Sequence, residues 1–439
     1  MNNKNEVNIP AWTLQLLAWY DVHKRALPWR ESKDPYRIWV SEIMSQQTRI
    51  EAMRPYYEQW MRQFPTMEDL AAADEDTVVR AWQGLGYYSR ARNLRLGVQE
   101  VVNKYGGQVP RDRKAMESLR GVGAYTAGAV LSIAFNQREP AVDGNVLRVY
   151  ARLYDIHDDI LKTAGRKQIE ALVSETMPYD RPGDFNEALM DFGASVCIPK
   201  VPRCEVCPLA NMCRALAAGT AKDLPVRIKN TKVPTIPLWV GLFSYKGYYL
   251  LHRRPNRGLL RSMWEFPTVE LAPLPEPKKN DEHISRKEEI LFSDIVTNDA
   301  FEVKKKPGGK RRTSAILPKP NAYDRRHVYE EGVAAIQSEL AALGLSVVIK
   351  EEKVTELVHV FSHRRWIMDV YEGTLESIQA EVKETDSNKV VDDSKVRSEG
   401  KGKNALPTLP EGWCWLHKEE FATLPWAGPH GKLTVFCQS

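Results

Sequence analysis

Between residues 10 and 218 the apolar positions recur every three or four residues. WTLQLLAWYDVHKRAL, DEDTVVRAWQGL and ARNLRLGVQEVVNKYG each lay an apolar stripe along one helix face, so this half of the chain is predicted to be helical. Asp34 ahead of Pro35, and Asp69 or Asp74 farther on, are placed to cap helix starts, because a short carboxylate accepts from the free N–H groups of a first turn. The pattern changes after GTAKDLPVRIKNTKVPTIP (219–237), which is polar, proline-punctuated and without helical period. Beyond it, LWVGLFSYKGYYLLHRR and VTELVHVFSHRRWIMDVYEG are β-rich, and the alternation in HVFSHRRWIMDVY predicts strands turning near Ser362. One helix is expected around VAAIQSELAALG. Residues 275–325, with KKKPGGKRR, and 378–406, rich in Lys, Asp, Ser and Gly, read as insertions too poor in apolar residues to build a core. The pattern as a whole is α+β: an all-α domain over 1–218, a linker over 219–237 and a second, α/β domain over 238–439.

Composition changes this picture little. A chain of 439 residues accommodates two or three domains at about 150 residues each. The longest apolar runs, such as AGAVLSIAF, fall short of the roughly 18 residues a membrane span needs. MNNKNEVNIPAW lacks the charged-then-apolar order of a signal peptide, so a cytoplasmic protein without membrane association is expected. The net charge of +5 permits a nucleic-acid partner without demanding one.

The cysteines say more. Cys197, Cys204, Cys207 and Cys213 crowd one short stretch, whereas Cys414 and Cys437 stand alone. A disulfide-stapled secreted domain spreads its cysteines through the fold, so the cluster reads as metal ligation, by an iron–sulfur group or by zinc. Upstream, LRGVGAYTAGAV contains Gly121 and Gly123 at G-x-G spacing, but the preceding DRKAMESL is helical and Thr126 takes the sixth place, which argues against a dinucleotide loop. Gly121-Val122-Gly123 between two helical segments reads instead as a plain interhelical turn or as a hairpin whose backbone N–H groups are open to a phosphate.

The hairpin, a carboxylate in VDGNVLRV (142–149) and cysteines spaced C-x6-C-x2-C-x5-C, in that order, resemble the helix-hairpin-helix DNA glycosylases of the endonuclease III superfamily over roughly residues 10–215. The resemblance implies a [4Fe–4S] cluster on the four cysteines, phosphate contacts from Lys200, Arg203 and Arg214, and flipping of the target base. Endonuclease III-like members keep a lysine where Tyr125 stands. A phenol has no amine to form a Schiff base, so base removal without strand cleavage is expected. LPWR followed by WVSEIMSQQT, GLGYYSRARNL and GDFNEALMDFGASVC closely resemble the MutY family, which removes adenine mispaired with 8-oxoguanine. The implied partner is double-stranded DNA carrying A:8-oxoguanine or A:G mispairs, met by a monomer in a bacterial cytoplasm or nucleoid. One departure stands out: the family hairpin reads Leu-Pro-Gly, and here Arg120 replaces the proline.

Adenine leaves its sugar only when protonated, which requires a carboxylic acid that holds its proton near neutral pH. Glu42, between Val40 and Ile43 on a predicted helix, is set for that by desolvation. The oxocarbenium-like sugar requires an anion, and Asp143 in a polar turn suits it. Asn145 is placed to orient Asp143 or water, and Tyr125 to buttress the sugar. The resemblance further implies that Trp29, Arg30, Ile50 and Glu187 line an adenine pocket. It assigns Gln47 and Tyr87 to a wedge, and Thr48 and Leu85 to the opposite 8-oxoguanine.

The second half, through LLHRRPNRGLLRSMWEFP and HVFSHRRW, resembles the Nudix-like domain with which that family recognises 8-oxoguanine, with Phe361, Ser362 and His363 as the contacting turn. The segment QSELAALGL carries Glu339 alone, too few carboxylates to hold Mg²⁺, so nucleotide hydrolysis is not expected.

Overall fold

A computed structural model describes residues 9–228, 233–274, 325–378 and 406–437. The chain divides into two compact units, Met1–Asn230 and Thr231–Ser439. The expected insertions 275–325 and 378–406 lie outside the described residues but for their ends. No helix among the described residues is long and apolar enough to cross a membrane.

The first unit is helical: α1 (Ala11–His23), α2 (Pro35–Ser45), α3 (Ile50–Gln63), α4 (Met67–Ala72), α5 (Glu75–Ala81), α6 (Ser89–Tyr105), α7 (Arg113–Ser118), α8 (Ala124–Phe135), α9 (Gly144–Leu153), α10 (Thr163–Thr176), α11 (Pro182–Ser195) and α12 (Arg214–Ala218). Short polar side chains start several of them. Asp34 accepts from Tyr36 N at 2.9 Å, with Pro35 pre-setting the first helical φ. Asp74 accepts from Thr77 N at 2.8 Å. Asp69 is not itself a cap: Thr66 is, and Asp69 returns its bond in a capping box. The helices enclose fully buried Trp39, Trp60, Trp82, Tyr57 and Tyr150. α1, α9 and α11 share a core of Trp12, Leu16, Tyr20, Val146, Tyr150 and Phe185. Each such large apolar side chain contributes roughly 1.5–3 kcal/mol of burial.

Residues 219–228 depart from the expected linker. Ala221 and Leu224 are buried against Ala215, and Arg152 Nε donates to Leu224 O at 2.9 Å. Apolar residues spaced three apart gave that polar stretch a face to bury, so the first unit runs past the expected boundary at 218. At the other end of the stretch, residues 235–237 already belong to the second unit's first strand.

Among the described residues the second unit is built on one seven-stranded sheet of β1 (Thr235–Tyr245), β2 (Tyr248–Arg253), β3 (Trp264–Glu265), β4 (Thr268–Glu270), β5 (Leu345–Val360), β6 (Arg365–Ile378) and β7 (Trp413–His417). Its path is β3-β2-β1-β6-β5, with β4 on β1 and β7 on β2. β1 and β6 are parallel; the other pairs are antiparallel. The period of two along β1 separates two cores. Leu238, Val240 and Leu242 face Phe266, Met368 and Trp426. Trp239 and Phe243 face Ile336 and Leu340 of α13 (Arg325–Ala342). This helix meets the sheet at Gly332, where a Cβ would stand 2.4 Å from the Trp239 ring. It starts well before the expected segment and carries Glu330 and Glu331 besides Glu339; they pair with Arg326 and His327 one turn back. The last described residues form 3₁₀ turns on either side of α14 (Gly428–Gly431).

Candidate active site and thiol loop

Glu42 sits near the end of α2 and is 8% exposed. Tyr125, second residue of α8, donates its phenolic hydrogen to Glu42 Oε2 at 2.5 Å and lies 3.7 Å from Met190 Sδ. Burial above all, with the negative charges of Glu187 and Asp143, raises the Glu42 carboxyl to about 7 against the Tyr125 bond and the Arg30 charge, which both lower it. Burial, then Glu42 and Asp143, holds the Tyr125 phenol well above its ordinary value, so it stays a donor.

Asp143 is the N-cap of α9. Its Oδ1 accepts from the backbone N–H groups of Asn145 and Val146, both at 2.8 Å, and Asn145 Nδ2 donates to Oδ2 at 2.7 Å. Arg148 Nη2 in turn donates to Asn145 Oδ1 at 2.8 Å. Burial raises the Asp143 carboxyl, while these donors and the Arg148 charge favour its ionised form. The two carboxyls thus share one site in contrasting settings. Both are desolvated, but Glu42 meets a single donor, Tyr125, whereas Asp143 meets three.

Glu187, on α11, accepts from Arg30 Nε at 2.8 Å and from Tyr20 Oη at 3.0 Å. One turn later, buried Asp191 takes Arg30 Nη1 at 2.7 Å and Arg25 Nε at 2.9 Å. The two arginines hold the Asp191 carboxyl below its usual range against the opposing effect of burial. Tyr20, Arg25 and Asp191 were not singled out from sequence; the signal was the four-residue spacing of Glu187 and Asp191, which puts both on one helix face. Trp29 is buried edge-to-face on Tyr57, with centroids 5.1 Å apart. Ile50 is partly exposed at the start of α3.

Gln47 and Tyr87 are exposed, and both take left-handed backbone conformations, at φ +58° and +50°. Thr48 and Leu85 lie beside them, partly exposed. In the hairpin, Gly121 has φ +80°, and a Cβ there would come 2.5 Å from that of Asn93, so only glycine fits. Val122 points inward, whereas Gly123 opens on free space ahead of the first turn of α8, whose N–H groups lack helical partners.

Cys197, Cys204, Cys207 and Cys213 are free thiols lining one small recess, walled by Val149, Leu153, Phe192, Val196 and Leu209. Arg152 Nη1 approaches Cys197 Sγ at 3.5 Å, and Arg148 Nε donates to Cys197 O at 2.8 Å. Among the described residues no three His, Cys, Asp or Glu converge on a point suited to a single metal ion. The four sulfurs surround a volume instead.

Phe361, Ser362 and His363 form the turn between β5 and β6 in the second unit, closed by Phe361 N donating to Arg364 O at 2.8 Å. Phe361 packs on Trp366 at 4.8 Å, leaving Ser362 and His363 exposed.

Residues 40–177 match the HhH-GPD superfamily of base excision DNA repair proteins. The human adenine DNA glycosylase is 37% identical over an alignment covering 96% of this chain and 72% of the human protein. The Schizosaccharomyces pombe adenine DNA glycosylase is 33% identical over 70% of this chain and 78% of its own. A solved thermostable thymine-DNA glycosylase is 31% identical over 47% of this chain and 95% of its own, at a TM-score of 0.44. With nearly its whole length aligned to the human enzyme, the chain belongs to the adenine DNA glycosylase (MutY) family, within the HhH-GPD superfamily.

Proposed function

We propose that this chain hydrolyses the N-glycosidic bond of adenine mispaired with 8-oxoguanine or guanine in double-stranded DNA, as the excision step of base excision repair, and leaves the strand uncut. The observation that carries the reading is the pair of carboxyls beside Tyr125. Glu42 retains a proton to about pH 7, whereas Asp143 is surrounded by donors that favour the anion. Adenine, flipped into a pocket of Trp29, Arg30, Ile50 and Glu187, takes the Glu42 proton at N7. The bond to the sugar then breaks, and its electron pair leaves with the base. Asp143, oriented by Asn145, stabilises the oxocarbenium-like sugar, which water attacks. Tyr125 holds Glu42 and offers no amine for strand cleavage.

Gln47 and Tyr87 fill the space the flipped adenine leaves, with Thr48 and Leu85 against the opposite base. Gly121, Val122 and Gly123 bring backbone N–H groups to a phosphate. The second unit, read as Nudix-like, adds Phe361, Ser362 and His363 to recognition of 8-oxoguanine, the serine hydroxyl serving as donor or acceptor.

The thiol recess fits a [4Fe–4S] cluster: four sulfur donors are the full ligand set, the walls are apolar, and Arg152 brings positive charge to an anionic group. Cys197, Cys204, Cys207 and Cys213 would hold it, and when bound it supplies a covalent tie across the loop rather than a step of base removal. A monomer acting in the cytoplasm completes the reading.

The deciding assay incubates the protein with a duplex carrying A opposite 8-oxoguanine, then treats it with hot alkali. Alkali-dependent breaks at the adenine are expected. No abasic product sinks the assignment, and breaks before alkali sink the monofunctional part of it.

A further inference from the structure

Arg90, the second residue of α6, makes more backbone contacts than any role so far requires. Its Nη1 donates to Ile43 O at 2.9 Å, to Met44 O at 3.1 Å and to Gln46 O. Its Nη2 donates to Gly86 O at 3.1 Å, and to Leu85 O and Thr48 Oγ1, both at 3.3 Å. The guanidinium also lies over the rings of Trp82 and Tyr87, each centroid 5.4 Å away. Among the described residues no carboxylate pairs with it; its charge is met by carbonyl dipoles, including those at the C-terminal end of α2, and by ring faces.

Two of its acceptors are specially placed. Gln46 O belongs to the peptide unit just before Gln47, and Gly86 O to the unit just before Tyr87. Those are the two residues held at φ +58° and +50°, a region that side-chain-bearing residues adopt only when their surroundings impose it. One planar fork therefore fixes both peptide planes at once and joins two segments about forty residues apart in sequence. A lysine, with a single point of charge on a flexible stem, cannot span both.

We propose that Arg90 is the positioning residue for opposite-base discrimination: it locks the Gln46–Thr48 segment to the Leu85–Tyr87 loop so that Gln47 and Tyr87 present one rigid edge to the base facing the adenine. This rests on the reading that Gln47 and Tyr87 meet that base. Free to move separately, the two segments still admit DNA and still place Glu42. What they lose is the fixed geometry that tells 8-oxoguanine from guanine.

The test is single-turnover adenine release on A:8-oxoguanine and A:G duplexes by the full-length protein. Wild type is compared with Arg90→Lys, Arg90→Gln, Gln47→Ala and Tyr87→Ala, with thermal melting alongside. Arg90→Gln is the neutral variant, read in the same way should Arg90→Lys not fold. The expected result is that folded Arg90 variants lose at least tenfold in the preference for A:8-oxoguanine over A:G, as the Gln47 and Tyr87 variants do. Equal losses on both duplexes mean a merely structural part and overturn the proposal. So does a preference kept within threefold while Gln47→Ala and Tyr87→Ala lose it. If those two variants also keep the full preference, the reading of the edge itself fails.

Discussion

Tyr125 donates to Glu42 at 2.5 Å, and that one bond favours the ionised carboxylate while burial favours the protonated one. Burial raises the acid, and the phenol, by favouring the carboxylate, brings it back to about 7. Tyr125→Phe removes that lowering hydrogen bond, so Glu42 keeps its proton to higher pH. The alkaline limb of the single-turnover rate, set near pH 7 in wild type, should move up by roughly one on the pH scale, equivalent to about 1.4 kcal/mol. A pH–rate profile with an unmoved limb would mean that another group delivers the proton.

The same carboxyl links stability to pH. A glutamate with a folded value of about 7 binds a proton that the unfolded chain releases at its ordinary value of 4.5. Stability is therefore lost as pH rises between those two values and is lower by a constant amount above them. Glu42→Gln should end adenine release while duplex binding persists. It should also stabilise the protein at pH 8, by on the order of 3 kcal/mol, with no gain at pH 4. Denaturant melts at the two pH values measure the difference.

Asp143 caps α9 and is proposed to stabilise the sugar cation, and two substitutions separate the cap from the proposed role. Asn still caps a helix, so Asp143→Asn should stay near wild-type stability yet release no adenine. Asp143→Ala should lose activity and about 1 kcal/mol of stability as well. Equal melting temperatures for the two variants would contradict the cap.

Buried Asp191 answers both Arg25 and Arg30. Asp191→Asn strands Arg30 with one carboxylate and should destabilise the first unit by about 3–5 kcal/mol. It should also slow adenine release, since Arg30 is what aligns Glu187; a folded variant at the wild-type rate would refute that link.

If the thiol recess holds an iron–sulfur cluster, the purified protein carries a broad visible absorbance and about four irons per chain. Cys204→Ser should lose the band. A colourless protein containing one zinc would replace the assignment.

Much of the helical half was legible because its signals are local. Asp34 and Asp74 cap as expected, and Glu42 lies on the helix that its apolar neighbours implied. Asp191, Tyr20 and Arg90 were not, because what distinguishes them is arrangement across distant segments rather than residue type. Arg90 in GLGYYSRARNL reads as one more surface arginine until the carbonyls of a helix more than forty positions earlier are brought beside it. Leu224 was lost in a polar stretch for the same reason, since its partners Arg152 and Ala215 come from the folded unit.

A catalytic carboxyl that doubles as a helix cap, as proposed for Asp143, is aimed by the winding of the helix itself. When the first turn of α9 frays, the N–H groups of Asn145 and Val146 swing away, and Asp143 loses its direction while the rest of the unit stands. Adenine release is then a thermometer for that turn. On heating, catalysis should fail several degrees before the fold does, and should return on cooling.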